Sequence, residues 1–200
     1  MRNYVVLGLL IVVIGGGVGI YFMNQKDQVK PSDQTQVQGA ASEGKKIAVL
    51  ETNFGLIKIA LDFNSAPKSS ANFEKLVRDG YYNGLTFHRI IPGFVIQGGD
   101  PIGDGTGGPG YTVPAEIKLK HTRGVIAMAR LGDQVNPTRA SSGSQFYIAL
   151  NDLPSLDGGY TVFGQVISGL DAVDNIAKVK TGPNDKPQEP VIINRVYMEE

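Results

Sequence analysis

The stretch from Leu85 to Asp100 contains the side chains of this chain that are best placed to do chemistry. Arg89 lies within an alternating apolar run, and a Pro92-Gly93 turn separates it from Phe94 and Gln97. A guanidinium has five N–H donors and no acceptor, so it supplies fixed charge and directed hydrogen bonds. The pattern indicates a shallow site that binds an apolar group beside a fixed cation. A surface ion pair is the alternative role for Arg89, and the spacing alone leaves both interpretations open.

Other catalytic chemistries lack the residues that they need. The chain has two histidines, His88 and His121. Its central serines, Ser141, Ser142 and Ser144, do not form the G-x-S-x-G elbow of a hydrolase. No H-x-x-x-H pair or clustered carboxylates suggest a metal site. We therefore expect neither metal nor cofactor, and we interpret His88 as a packing or hydrogen-bonding residue.

A glycine pattern resembles a nucleotide-binding motif but lacks its context. Gly103-x-Gly105-x-x-Gly108 fits the dinucleotide pattern, which requires a helix immediately after it to receive the phosphate. Pro109 and Gly110 follow instead, and a helix cannot start there. We therefore interpret this segment as a wide, turn-rich loop.

Composition narrows the class of protein. Lysine plus arginine and aspartate plus glutamate both number 19, and a zero net charge argues against a nucleic-acid partner. The 26 glycines are well above the usual share and indicate many tight turns, which suits an all-β domain. The absence of cysteine excludes disulfides and thiol catalysis.

The first part of the chain predicts attachment to a membrane. The uncharged apolar run from Tyr4 to Met23 is long enough, at ~1.5 Å per residue, to cross a hydrocarbon core of ~30 Å. We expect residues 1–23 to be a transmembrane signal anchor, 24–44 a flexible polar linker and 45–200 a folded domain outside the cytoplasm. A cleaved signal peptide that releases a secreted protein is the alternative, with Gly17-x-Gly19 as a weak cleavage site.

The domain alternates short strands with two helices. A hairpin is predicted at residues 47–61, and Pro67 is placed to begin a helix that ends at Gly80. A second helix is expected over 170–178. Further strands are predicted at 124–129, 145–150, 160–167 and 191–198. About eight strands with two helices favour a mainly β fold, a closed eight-stranded antiparallel barrel capped by two α-helices.

Five motifs in order resemble those of the cyclophilin family of peptidyl-prolyl cis-trans isomerases. The resemblance extends over residues 47–198, which is nearly the whole predicted domain. The matching residues are Phe87-His88-Arg89-Ile90-Ile91-Pro92-Gly93-Phe94-x-x-Gln97-Gly98-Gly99-Asp100, Gly105-x-Gly107-Gly108, Gly124-Val125-x-x-Met128-Ala129, Gly143-Ser144-Gln145-Phe146 and Leu156-Asp157-Gly158-x-x-x-Val162-Phe163-Gly164.

The resemblance implies a site on this chain, residue by residue. Arg89 and Gln97 match the catalytic arginine and the glutamine that holds the substrate backbone. The implied substrate-binding positions are Phe94, Val95, Tyr147 and Leu156 around the proline ring, with Ala129, Gln145 and Tyr160 along the groove. The chain departs from better-known members at four positions: Val95 replaces methionine, Tyr147 phenylalanine, Ser155 tryptophan and Tyr160 histidine. The serine makes strong cyclosporin binding unexpected.

The expected function is therefore the isomerisation of X-Pro bonds in proline-containing polypeptides, during the folding of exported proteins. We expect the protein to be a monomer. A non-catalytic proline-peptide binding module or chaperone on the same fold is the alternative, although the arginine and the pocket that such modules alter are both present.

Overall fold

The computed structural model describes residues 46–200. The predicted anchor at 1–23, the linker at 24–44 and the first predicted domain residue, Lys45, lie outside this part of the chain. Between residues 46 and 200, no helix is both long enough and apolar enough to cross a bilayer.

The described chain consists of short strands with two α-helices among them, and both helices lie where the sequence predicts a helix. In chain order the elements are β1 Ile47–Thr52, β2 Gly55–Leu61, α1 Pro67–Arg78, β3 Arg89–Ile91, β4 Val95–Gly98, β5 Thr112–Val113, β6 Val125–Met128, β7 Ser141–Ser142, β8 Phe146–Ala149, β9 Val162–Ser168, α2 Leu170–Ile176 and β10 Ile193–Glu199. Short 3₁₀ turns lie at Pro154–Leu156 and Pro183–Asp185. The predicted second helix ends at Ile176, two residues early.

Eight of the strands form one curled antiparallel sheet. Their spatial order is β10-β1-β2-β9-β6-β8-β4-β3, and β5 pairs separately with β7. The sheet is an open half-barrel, so the prediction of a closed barrel is wrong. The edge strands β3 and β10 share no ladder, because β3 has only three residues and the chain before it meets residues 191–193 through an isolated bridge, Thr86 to Ile192.

Alternation along the central strands separates the core from the outer face of the sheet. Ile90, Ile96, Ile126 and Ile148 are fully buried in the main core. They are also cross-strand partners, since Ile96 pairs with Ile90 and with Ile148. Because successive side chains on a strand point to opposite faces, the residues on either side of these isoleucines lie on the outer face.

The first helix covers the core and takes its N-terminal partner from a distant loop. Phe73, Leu76 and Val77 are buried beneath it, as the sequence predicts. Local capping by a side chain is absent. Instead, the Glu116 carboxylate accepts the backbone N–H groups at the helix start, including that of Ser69 at 2.9 Å. A carboxylate at this end is favoured by the unpaired N–H groups and the helix dipole.

Candidate active site

Three predicted site residues form a row across neighbouring strands. Arg89 of β3 pairs with Gln97 of β4, and Gln97 pairs in turn with Tyr147 of β8. Direct cross-strand partners share a face of the sheet, so all three side chains belong to the outer face. Val95 lies two residues from Gln97 and therefore on the same face. The Pro92-Gly93 turn, with Gly93 at φ 74°, sets the register that brings Arg89 beside Gln97.

A directional series of hydrogen bonds joins the arginine to the neighbouring loop. Arg89 Nη1 donates to Gln97 Oε1 at 3.4 Å, and Gln97 Nε2 donates to Gln145 Oε1 at 3.0 Å. Gln145 Nε2 then donates to the carbonyls of Gly105 and Gly107, at 2.9 and 2.8 Å. Each amide therefore accepts from the arginine side and donates towards the loop. Gln145 is only 6% exposed, so the hydrogen bonds that its side chain makes are largely shielded from water, whereas the Arg89 end of the series is partly exposed.

The receiving loop is itself fixed by a buried carboxylate. Asp100 Oδ1 accepts the backbone N–H of Ile102 at 2.8 Å, and Oδ2 accepts that of Asp104 at 3.1 Å. Burial raises the pKa of Asp100, but the backbone N–H groups around it outweigh this effect and lower the pKa. A Cβ on Gly107 would lie 2.0 Å from Asp100 Oδ1, so the loop closes tightly on this carboxylate. Bends and strand β5 follow the glycine pattern, rather than the helix that a nucleotide-binding motif would require.

The predicted apolar positions form one cluster beside this row. Val95 and Tyr147 are 3% and 5% exposed, and they form the buried part of a small second core. Packed against it with partly exposed side chains are the other predicted apolar positions: Phe94, Ala129, Leu156 and Tyr160. The structure thus brings all six positions into one apolar cluster, whose buried members Val95 and Tyr147 lie on the same face of the sheet as Arg89. The outer surface of this cluster is called the apolar depression below. Its rings can contact a small apolar ring while the adjacent row supplies hydrogen-bond donors.

Arg130, which sequence reasoning missed, supports one edge of the depression. Its guanidinium carbon lies 4.6 Å from the ring centroid of Tyr160, a distance typical of a cation–π contact. Its Nε donates to the Gly159 carbonyl at 2.7 Å, and Nη1 pairs with Asp133 at 2.6 Å. The Tyr160 ring meets Tyr147 edge-on, 5.9 Å between centroids.

Asp185 is a second residue that the sequence analysis did not single out. Its Oδ2 lies 3.3 Å from Arg89 Nε, and both side chains are nearly half exposed. Asn184 and Asp185 both have φ 59°, a left-handed backbone conformation that residues other than glycine rarely adopt. This turn positions a carboxylate against one edge of the guanidinium. Within residues 46–200, the other terminal nitrogen, Nη2, has no hydrogen-bond partner, so it can donate to a ligand.

His88 is a packing residue rather than a hydrogen-bonding one. It is 7% exposed, and neither ring nitrogen has a hydrogen-bond partner among the described residues. Burial lowers the pKa of His88, with smaller opposing effects from nearby charges, chiefly Asp100. A neutral imidazole without partners does not direct a proton to the site, so only the packing half of the sequence interpretation of His88 agrees with the structure.

Two clefts meet at Gln97. The larger, of about 930 Å³, is lined by Ala129, Gln145 and the glycine loop, and the smaller, of about 530 Å³, by Arg89 and Asp185. Gln97 and Gly105 line both clefts, so they form the boundary between them. Residues 46–200 hold no group of three or more acidic, histidine or cysteine side chains able to bind a metal. What this arrangement offers is a fixed cation, amide hydrogen bonds and an apolar seat on an extended groove.

Comparison with known proteins identifies relatives along the whole described domain. Residues 47–198 match the family model described as "Cyclophilin type peptidyl-prolyl cis-trans isomerase/CLD". A peptidyl-prolyl cis-trans isomerase of Helicobacter pylori is 47% identical in an alignment of 134 residues that covers 64% of this chain and 78% of that protein. Human peptidyl-prolyl cis-trans isomerase-like 1 is 43% identical over 154 residues, 74% of this chain and 89% of that one.

The fold also matches solved structures. A cyclophilin type peptidyl-prolyl cis-trans isomerase of Cryptosporidium parvum superposes with a TM-score of 0.73 at 34% identity, covering 78% of this chain and 98% of that one. A crystal structure described as the same parasite protein in the presence of the dipeptide Ala-Pro gives a TM-score of 0.72 at 34% identity, covering 77% of this chain and 99% of that one.

Proposed function

This chain belongs to the cyclophilin type peptidyl-prolyl cis-trans isomerase family, and we propose that its active site is the row of Arg89, Gln97 and Tyr147 with the adjoining apolar depression. The family and its relatives establish the activity, which is rotation about the bond before proline. The assignment of residues is supported by one observation: the row places a partly unpaired guanidinium directly beside a seat formed by Val95 and Tyr147.

The reaction requires no nucleophile, because no covalent bond is made or broken. Resonance gives the amide C–N bond partial double-bond character, and the barrier to rotation is ~18–20 kcal/mol. Catalysis therefore means binding the twisted amide better than either planar form. In the twisted state the nitrogen becomes pyramidal and gains a lone pair that can accept a hydrogen bond.

Each part of the proposed site contributes to that preference. The apolar depression holds the proline ring, and Gln97 holds the substrate backbone. Arg89 donates to the amide nitrogen as its lone pair develops, an interaction that the planar forms cannot make. A hydrogen bond to a charged group contributes about 1.5–3 kcal/mol, which corresponds to about 10- to 150-fold in rate. The fixed pocket and the displacement of water supply the remainder.

A protease-coupled isomerisation assay on a proline tetrapeptide tests this assignment in the full chain. Arg89→Ala should lower kcat/KM by about 10- to 150-fold, since it removes the transition-state hydrogen bond. Arg195→Ala is the matched control, because Arg195 lies on β10 and contacts Tyr197 rather than the site. Equal rates for the wild type and Arg89→Ala would contradict the catalytic role and favour a proline-peptide binding module.

The proposed ligand is a proline-containing polypeptide. The depression is apolar, whereas the adjoining cleft of about 930 Å³ is lined by the glycine loop and by polar side chains such as Gln97 and Gln145, and it can follow an extended chain. The crystal structure of the parasite protein in the presence of the dipeptide Ala-Pro is consistent with this choice. We propose that the protein acts as a monomer, which sedimentation of the purified full chain would test.

We also propose that the enzyme is tethered to a membrane and acts outside the cytoplasm on exported proteins. The support is the uncharged run from Tyr4 to Met23, followed by a polar segment with almost nothing to bury. Fractionation of cells and sequencing of the mature N-terminus would distinguish a retained anchor from a cleaved signal. Protease added to spheroplasts should digest the domain, and protection of the domain would contradict the proposed orientation.

A further inference from the structure

A buried imidazole is bonded on both sides beneath the apolar depression. His121 is 2% exposed. Its Nδ1 lies 3.1 Å from Asp157 Oδ1, and its Nε2 lies 2.9 Å from the Tyr147 hydroxyl. The backbone N–H of His121 donates to the same Asp157 oxygen at 2.7 Å. The ring therefore connects a loop carboxylate to a side chain of the pocket.

The chemistry of the partners fixes the direction of these hydrogen bonds. A carboxylate can only accept, so Nδ1 of His121 carries the proton and donates it to Asp157. In the neutral ring Nε2 is then an acceptor, and the Tyr147 hydroxyl donates to it. Burial lowers the pKa of His121 although Asp157 opposes this, which is consistent with a neutral ring. The backbone N–H of His121 lowers the pKa of Asp157, which keeps the carboxylate ionised.

Among residues 46–200, the imidazole ring has no hydrogen-bond partner other than Asp157 and Tyr147. Three titratable side chains of the described residues face the imidazole: Asp157 after the 3₁₀ turn, Tyr147 of β8 and Tyr160 before β9. The Tyr160 ring meets the His121 ring edge-on, with 6.3 Å between centroids. Lys120 adjoins His121 in sequence, and its positive charge helps to lower the pKa of Asp157. The order carboxylate, imidazole, hydroxyl resembles a hydrolase triad. Burial raises the pKa of Tyr147, however, so its hydroxyl stays protonated and donates a hydrogen bond to His121. The hydroxyl is therefore an anchor and not a nucleophile.

We propose that Asp157 and His121 are positioning residues that hold the Tyr147 hydroxyl, and thereby fix the Tyr147 ring as a wall of the proline pocket. This inference rests on the proposed function of that pocket. Packing against Tyr160 and the small second core surrounds the ring with apolar contacts, which have no fixed direction. The hydroxyl bond restrains the far end, so that the ring presents one surface to the substrate. The effect on the reaction is indirect, because neither positioning residue touches the substrate.

A double-mutant cycle in the full chain tests the proposal. Asp157→Ala should lower kcat/KM for a proline tetrapeptide about fivefold, mostly through KM, because the pocket wall is released. In a Tyr147→Phe background, where no hydroxyl remains to be held, the same change should have less than about a twofold effect. Equal effects of Asp157→Ala in both backgrounds would overturn the proposal. Asp152→Ala is the matched control, because Asp152 accepts the backbone N–H of Arg123 at 2.8 Å but has no imidazole partner.

A second measurement is independent of turnover. Both contacts with His121 end on one oxygen of Asp157, so Asp157→Asn should retain the geometry and recover most of the kcat/KM lost in Asp157→Ala. It removes the charge, however, and should lower the pKa of His121 further. The NMR titration of His121 reads this out, and a nitrogen spectrum should show the proton on Nδ1. With only two histidines in the chain, His88→Gln assigns the signals.

The two readouts separate the possible failures. A wild-type chain with no isomerase activity at any pH would contradict the proposed function, whereas the His121 spectrum would still report its bonding. A proton on Nε2, or an unchanged His121 pKa in Asp157→Asn, would overturn the positioning role even in a fully active enzyme. If Asp157→Ala does not fold, the NMR titration of His121 in Asp157→Asn decides whether Asp157 has the positioning role.

Discussion

Replacement of Gln145 by glutamate tests the hydrogen-bond series that ties the active-site row to the glycine loop. The amide nitrogen of Gln145 donates to two backbone carbonyls, Gly105 O and Gly107 O. A glutamate carboxylate still accepts from Gln97 but cannot donate to either carbonyl. At ~0.5–1.5 kcal/mol for each net hydrogen bond, the lost donors alone cost about 1–3 kcal/mol. Burial of the new charge adds to this cost.

The total expected for Gln145→Glu is a loss of about 2–4 kcal/mol in the free energy of unfolding near neutral pH. Burial should raise the pKa of the introduced carboxyl above its usual value of ~4.3. Protonation restores one O–H donor, so the deficit relative to wild type should be larger at about pH 7.5 than at about pH 5. Urea unfolding of both proteins at the two pH values gives the magnitude and its sign.

Gln165→Glu is the matched control for this substitution. The Gln165 amide nitrogen also donates to two carbonyls, Arg123 O at 3.1 Å and Val166 O at 3.4 Å, but it is more exposed and lies outside the site. Its replacement should cost less than about 1 kcal/mol, since water can replace the lost partner. If Gln145→Glu is no more destabilising than Gln165→Glu, or if its deficit does not grow with pH, the reasoning about the buried series is refuted.

Two further predictions concern pH and the glycine loop. Burial lowers the pKa of His88 and of His121, so the unfolded chain, in which histidine has a pKa of ~6.5, binds more protons than the folded one. The free energy of unfolding should therefore fall as the pH is lowered from about 7.5 to 5.5. Urea midpoints that do not move over this range would contradict the prediction. Gly107→Ala places a Cβ 2.0 Å from Asp100 and should cost about 1–3 kcal/mol in thermal unfolding, whereas Gly132→Ala, with nothing within 4 Å, should be nearly neutral; equal Tm values for the two variants would contradict the tight closure of the loop.

The sequence predicted that Arg89 and Gln97 lie close together, because their proximity depends on alternation and one turn. The alternating run around Arg89 and the Pro92-Gly93 turn determine that Arg89 and Gln97 share a face. The distant positions Tyr147 and Leu156 came only from the family resemblance, since no periodicity relates them to Arg89.

The contacts that escaped prediction join residues far apart in sequence. Asp185 meets Arg89 across 96 positions, and His121 meets Tyr147 across 26. Only the three-dimensional path of the chain brings such polar groups together, and in sequence each looks like an ordinary loop residue. A tyrosine at a position where the family usually has phenylalanine was the one available signal, because a buried hydroxyl requires a partner.

The closed barrel was predicted wrongly for a related reason. A count of strands gives the size of a sheet but not whether its two edges pair. Closure would require a ladder between β3 and β10, but the two segments instead meet before these strands begin, at the isolated bridge between Thr86 and Ile192. Backbone hydrogen bonds there, such as Phe87 N–H to the Val191 carbonyl at 2.9 Å, satisfy the edge without a continuous ladder. Such boundaries depend on tertiary contacts rather than on strand propensity.

NMR exchange spectroscopy with a saturating concentration of an Ala-Pro peptide tests the catalytic role of Arg89 most directly, because it measures peptide binding and isomerisation of the bound peptide separately. If Arg89 acts on the twisted amide, Arg89→Ala should bind the peptide within about threefold of wild type, yet interconvert bound cis and trans forms about 10- to 150-fold more slowly. Unchanged exchange in Arg89→Ala, or a defect confined to peptide affinity, would contradict the account.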